Sequence, residues 1–151
     1  MSGSVSQNIA LENILSQIKE IRLKENITLK PSQYLRDQYI DDSGDECSVQ
    51  LRNYQKQCVM NLLMLERFLC GDDTGIGKTL EMLTAIGYIW AVEPDYIPIV
   101  VVTKSSLFQW VSETNRFMKD MEAVPAFGEP FERQVIYEDF FLKHNPAKKR
   151  L

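Results

Sequence analysis

The run Cys70-Gly71-Asp72-Asp73-Thr74-Gly75-Ile76-Gly77-Lys78-Thr79 constrains this chain more than any other stretch of it. Apolar Phe68 and Leu69 lead in, the loop closes on Gly-x-Gly-Lys-Thr, and an apolar-periodic segment follows. That order predicts a short buried strand, a tight loop and a helix, the arrangement that holds the phosphates of a nucleoside triphosphate. Glycines let backbone N–H groups turn inward, and the helix N-terminus behind them adds partial positive charge. In such a loop Lys78 reaches the β- and γ-phosphates and the Thr79 hydroxyl ligates magnesium, while Thr74, Gly75, Ile76, Gly77 and Leu80 form the cradle. The first glycine of G-x-x-x-x-G-K-[ST] is absent, because Asp72 stands there, and Gly75 sits two residues before Gly77 instead. A glycine-rich turn capping an ordinary helix is the plain alternative. The strand-like lead-in, the paired glycines and the helix behind them favour the nucleotide.

A chain of 151 residues, 44% apolar and 25% charged, is long enough to bury one real core and too apolar to be disordered. A net charge of −4 excludes a uniformly basic nucleic-acid binder. Any such surface must be a local patch, or lie on another domain or chain. Cys47, Cys58 and Cys70 lack metal-ligand spacing, and the single histidine, His144, is far from them in sequence. They read as buried thiols of a reducing compartment rather than as a structural zinc site. No segment approaches the ~18 consecutive apolar residues of a membrane span. Met1 to Ser6 lacks the basic-then-apolar pattern of a signal peptide. The expectation is a soluble intracellular protein with no membrane partner.

Along the chain, Ile9, Leu11, Ile14, Leu15, Ile18 and Ile21 recur near a period of 3.6, which predicts an amphipathic helix over 8–24. A short strand over 27–30 follows. Asp41 to Glu46 is an acidic, turn-rich stretch, read as a solvated loop rather than an acidic contact or metal site. Beyond it the pattern alternates: helix over 53–66, buried strand over 67–70, loop over 71–77, helix from Lys78 to about Ala91. The β-branched run from Ile97 to Thr103 predicts a strong buried strand. Helices are expected over 106–119 and within 129–144, and the basic tail Lys148-Lys149-Arg150 reads as a solvated end. Strand–helix alternation with continuous apolar strands implies an α/β fold, a parallel sheet covered by helices on both faces. The stop at Leu151, with no closing element, suggests a truncated domain.

Three further features bear on chemistry. Gln55 lies about twenty residues before the loop, at the start of a helix, where its amide can offer an adenine edge a donor and an acceptor together. Lys104 and Ser105 follow the apolar run, and hydroxyls and N–H groups at the end of a strand suit a phosphate backbone. Trp110, Phe117 and Phe108 fall at helical spacings and read as core rather than as stacking platforms.

Taken in order, these pieces resemble the first half of the N-terminal RecA-like motor lobe of a superfamily 2 helicase, in its Swi/Snf-like branch. Leu51-Arg52-Asn53-Tyr54-Gln55 is similar to that family's L-R-x-Y-Q adenine motif. Asp72 to Glu81 resembles its D-E-M-G-L-G-K-T-L-Q loop, which accounts for the absent first glycine. Thr103 to Trp110 resembles P-x-S-L-L-x-x-W, with Thr103 for proline and Ser106 for an apolar residue, and Gly128 to Arg133 faintly resembles G-x-x-x-x-R. The resemblance covers about residues 49–140. It implies a P-loop NTPase fold, an incomplete RecA-like lobe over 47–151 preceded by an N-terminal helical segment and acidic linker over 1–46. It also implies ATP and Mg2+ as cofactors, duplex or branched DNA as partner of the complete motor, and the remaining helicase domains as further partners. Gln55 would then read adenine, Gly75, Gly77, Lys78 and Thr79 would hold phosphates and magnesium, and Lys104 with Ser105 would approach DNA.

The family's D-E-x-H acidic motif is not found, and Glu138-Asp139 sits in a helical context, so it is not taken as a substitute. The chain alone is therefore expected to bind nucleotide weakly and to hydrolyse it hardly at all. Two other readings compete. A non-enzymatic docking or regulatory module would keep the half-lobe fold without needing Gly-x-Gly-Lys-Thr. A small P-loop kinase would need an arginine-rich lid, and Arg52, Arg67, Arg116 and Arg133 do not cluster. The compartment would be the cytoplasm for a bacterial or phage protein and the nucleus for a eukaryotic one.

Overall fold

The computed structural model describes residues 32–65, 67–71, 73–142 and 149–151. The helix expected over 8–24 and the strand expected over 27–30 lie outside the described residues. Two short strands, β1 (Gln38–Ile40) and β2 (Glu46–Ser48), form an antiparallel hairpin, with Gln38 opposite Ser48 and Ile40 opposite Glu46. The acidic stretch is the turn of this hairpin. Asp41 Oδ1 accepts from the N–H groups of Ser43 and Asp45, both at 2.9 Å, and Gly44 takes a φ of +87° there. These N–H groups, Asp45's first, hold the Asp41 carboxyl below its ordinary pKa.

Among the described residues four helices follow: α1 (Asn53–Met64), α2 (Lys78–Val92), α3 (Leu107–Phe117) and α4 (Pro130–Leu142). A single 3-10 turn, Lys104–Ser106, leads into α3. Helix α1 starts on half of a capping box, the Gln55 side chain accepting from the Arg52 N–H at 2.9 Å. Helix α2 is the spine of the molecule. It buries Leu83, Thr84, Ala85, Ile86 and Gly87 around more than a full turn, with Trp90 beyond, and ends at Glu93 just before Pro94, which cannot continue a helix. Its core partners are Leu35, Met118 and Met121, with Tyr34, Val49, Leu80, Trp110, Phe117 and Leu151 packed around them. At Gly87 an added Cβ would stand 2.7 Å from Ser32 Oγ, so glycine lets the segment before β1 lie directly on the helix. That segment is pinned at its other side by the bridge between Leu35 and Met118 and by Arg36 N–H on the Phe117 carbonyl at 2.7 Å.

The chain is a mixed α/β structure, but the continuous parallel sheet expected from the pattern is not formed among the described residues. The lead-in 67–70 is irregular, and Leu69 is 91% exposed. The run 97–103 is extended without ladder partners, and Val101 is 92% exposed. A buried parallel strand needs a hydrogen-bonded neighbour and helices on both faces, none of which an apolar sequence can supply by itself. The one parallel pairing among the described residues joins β3 (Met121–Glu122) to β4 (Lys149–Arg150).

That pairing corrects the reading of the tail as a solvated end. Lys149 is buried, donates to the Pro94 carbonyl at 2.7 Å and lies 5.7 Å from the Trp90 ring centroid. Arg150 bonds Glu122 at 3.3 Å and Asp139 at 3.5 Å. Asp139 is thus a structural partner on helix α4. Phe108 is also not core. It is 57% exposed and meets Phe127 edge-to-face at 5.4 Å, whereas Trp110 and Phe117 pack on the core as expected.

Candidate functional site

Local chemistry shapes the loop between α1 and α2. Gly75 and Gly77 take φ values of +83° and +96°, the left-handed region that a side chain disfavours. Gly77 is the N-cap of α2, so Lys78 and Thr79 begin the helix. At that end the first backbone N–H groups have no intrahelical acceptor, and the helix dipole favours an anion. Lys78 Nζ curls back to the Asp73 carbonyl at 2.6 Å. Thr74 and Gly75 are exposed, and Ile76, Lys78, Thr79 and Leu80 are half-buried.

The loop is held from α1. The Ile76 carbonyl accepts from Gln55 Nε2 and from the Tyr54 hydroxyl, each at 3.0 Å. Gln55 is 5% exposed, and its other amide atom is the capping acceptor for Arg52 N–H. The amide expected to face adenine is therefore engaged with the protein, and its visible work is to position the loop. Tyr54 joins it in this task. The sequence quotes both residues in one motif, but the hydroxyl's reach to Ile76 shows only in three dimensions.

Beside the loop a cavity of about 240 Å³ is lined by Arg52, Gln55, Gly75, Ile76, Gly77 and Leu80, with Tyr39, Ser48, Val49, Gln50 and Phe117 from the hairpin and α3. Loop, glutamine and hairpin meet there, at a size closer to a heterocycle than to a drug-sized ligand, whose pockets begin near roughly 300 Å³. A larger cavity of about 350 Å³ lies between the extended 98–102 run, α3 and α4. Its lining is aliphatic and aromatic, with Arg133 its single charged side chain, so it is a packing trough rather than a reaction site. Lys104 and Ser105 stand exposed on the 3-10 turn and line neither cavity. Thr103 Oγ1 shares 3.0 Å hydrogen bonds with Ser105 and Ser106, and Lys104 Nζ sits 5.0 Å from the Phe127 ring centroid.

Behind the loop the fold gathers a group that no spacing in the sequence reveals. Cys58 of α1, Cys70 of the lead-in and Glu81 in the first turn of α2 come together. Burial, then the hydrogen bond with Glu81, pushes the Cys58 thiol far above its ordinary pKa.

A left-handed glycine loop thus opens a helix at a lysine and a threonine and is gripped by a glutamine one element earlier; comparison with known proteins gives the family. The family model of the SNF2-related domain matches residues 54–146, well over half of the chain, and the chain belongs to that family. The ISWI chromatin-remodeling complex ATPase ISW1 of Saccharomyces cerevisiae is 36% identical over 98 residues, which is 62% of this chain and 9% of that protein. The ATP-dependent helicase FUN30 of the same yeast is 28% identical over 104 residues, 66% of this chain and 9% of that protein. The chromatin-remodeling ATPase INO80 of Pyricularia oryzae is 28% identical over 82 residues, 54% of this chain and 4% of that protein. The chain thus spans less than a tenth of the length of each of these relatives. No solved structure matches it. Among the described residues no helix is long and apolar enough to cross a membrane.

Proposed function

We propose that this chain is the ATP-holding portion of an ATP-dependent DNA translocase or helicase, residues 47–151 forming part of a RecA-like lobe and the residues before them an N-terminal segment whose β1–β2 hairpin packs on that lobe through Tyr39 and Phe117. The observation that carries the reading is the left-handed Gly75–Gly77 loop that opens α2 at Lys78 and Thr79. The relatives' names, which specify ATPases and an ATP-dependent helicase, support it. Their chromatin-remodeling titles favour DNA as partner and the nucleus over a bacterial or phage cytoplasm.

The residues present fit such a ligand. The loop's N–H groups and the N-terminus of α2 offer donors to phosphate oxygens, Lys78 exchanges its Asp73 carbonyl for them, and Thr79 presents a hydroxyl to magnesium. MgATP, when bound, supplies the phosphoanhydride bond whose cleavage drives a motor of this kind. Gln55 holds Ile76 in place, and reading adenine requires it to share or exchange that bond. Lys104 and Ser105, exposed on their turn, are available to a DNA backbone. On this reading the family's D-E-x-H carboxylates, which no motif of this chain supplies, belong to the rest of the motor.

The second reading, a docking or regulatory module without activity, is favoured by one feature: Lys78 and Gln55 are both turned onto the loop's own carbonyls. Calorimetry with MgATP separates the two. Binding by the native chain that falls about 10- to 150-fold in Lys78→Ala is expected, because a charge-assisted contact is worth about 1.5–3 kcal/mol. Heat absent from a folded native chain sinks the nucleotide reading and leaves the docking module. ATP turnover stimulated by DNA would show instead that a catalytic carboxylate is already present.

A further inference from the structure

The thiol–carboxylate group behind the loop takes no part in the nucleotide reading, and it is built from three separate elements. Cys58 Sγ lies 3.5 Å from Cys70 Sγ, and those two sulfurs and a Glu81 carboxylate oxygen all fall within 4.8 Å of one another. Cys58 and Glu81 are buried and Cys70 is half-buried. The group thus brings two thiols and one carboxylate, three potential ligand atoms, to one point between separate elements.

The spacing and the donor chemistry select the cation. Metal–sulfur bonds near ~2.3 Å and metal–oxygen bonds near ~2.1 Å, at tetrahedral angles, set sulfur–sulfur separations of about 3.8 Å and sulfur–oxygen separations of about 3.6 Å. The two sulfurs need to part by only a few tenths of an ångström to meet this. Calcium and magnesium demand six or more oxygen ligands, which this group lacks, whereas thiolates select soft or borderline ions.

We propose that Cys58, Cys70 and Glu81 form a three-ligand site for a thiophilic divalent cation of the zinc class, with water completing the tetrahedron. Loading is a ligand exchange without redox change: the cation sheds waters, two S–H bonds break, two metal–thiolate bonds and one metal–carboxylate bond form, and the two thiol protons pass to solvent. The bound ion ties α1, the loop's lead-in and the first turn of α2 into one unit. The same helix α1 grips Ile76 through Tyr54 and Gln55, so the ion stiffens the loop from beneath. The two cysteines are twelve positions apart and the glutamate lies on the next helix, so no short motif announces the site.

The test is a titration of the chelator-stripped 151-residue chain with Co2+ alone, followed by Zn2+. Expected are one equivalent bound, a thiolate-to-cobalt charge-transfer band, tetrahedral d–d bands, release of two protons, and displacement by zinc. Cys70→Ser, at the half-buried position, should lower the band by about half and weaken cobalt binding at least ~10-fold, since even outer-shell partners of metal sites are worth that much. Glu81→Gln should keep the thiolate band and weaken binding at least ~10-fold. Cys47→Ser, whose sulfur sits beside Asp41 on the hairpin, should change nothing. Circular dichroism confirms that each variant is folded. Absence of the thiolate band from the stripped native chain overturns the assignment. So does a band of undiminished intensity in Cys70→Ser, or thiol titration showing Cys58 and Cys70 joined as a disulfide. None of these readouts involves nucleotide, so the site stands or falls apart from the proposed function.

Discussion

Gly77→Ala is expected to destabilise the fold by about 2–4 kcal/mol and to abolish MgATP binding. Two independent costs add. At a φ of +96° an L-residue sits in the left-handed region, a penalty of about 1–2 kcal/mol. The new Cβ would also stand 2.6 Å from Gln55 Nε2. Gln55 is buried and cannot simply swing aside: it would leave the Arg52 N–H and the Ile76 carbonyl without the bonds it gives them. Each lost bond is worth about 0.5–1.5 kcal/mol. Gly75→Ala is the control, because its φ is +83° but nothing lies within 4 Å of its ideal Cβ. It should incur the backbone term alone. Urea unfolding followed by circular dichroism measures both, and calorimetry measures binding. The pair Gly77→Ala with Gln55→Ala should recover part of the loss, since removing the amide relieves the clash. Equal costs for the two single glycine variants would show that the Gln55 contact is not what demands glycine at position 77.

What the sequence could announce, and what it could not, divides along the range of the forces involved. Helix α2 was legible because its determinants are local: glycines before it, an apolar period within it, Pro94 behind it. The expected span, Lys78 to about Ala91, differs from Lys78–Val92 by one residue. Helix α1 likewise runs Asn53–Met64 against an expected 53–66. The strands failed for the converse reason. An apolar β-branched run such as Ile97 to Thr103 states what a strand would bury, but hydrogen-bonded neighbours decide whether it is one, and none flanks it among the described residues. The basic tail misled because charge argues for solvent until a carbonyl, an indole face and two carboxylates are brought to it, as Pro94, Trp90, Glu122 and Asp139 are to Lys149 and Arg150. At the loop, the glycines and Lys78 were readable from spacing, whereas the grip of Tyr54 and Gln55 on the Ile76 carbonyl spans more than twenty residues and belongs to packing.

Trp90→Ala should be the most damaging single truncation, at about 3–5 kcal/mol, a large share of the 5–15 kcal/mol that typically holds a domain of this size. Trp90 is 1% exposed near the end of α2, where the turn after the helix and two distant segments converge on it. Its indole N–H donates to the Tyr96 carbonyl at 2.7 Å, closing the turn that follows the helix. Its ring meets Tyr34 edge-to-face at 5.8 Å, and Lys149 of β4 lies over it. Truncation therefore opens a cavity, strips the Tyr96 carbonyl of its donor and frees the segments before β1 and at β4 together. Trp90→Phe separates these terms: it keeps most of the ring volume and loses the N–H, so it should cost only about 1–2 kcal/mol. The urea midpoint should fall in that order with an unchanged denaturant slope if the fold stays two-state. A Trp90→Ala loss of no more than Trp90→Phe would mean that the hydrogen bond to Tyr96, rather than packing, is what α2 depends on at its C-terminal end.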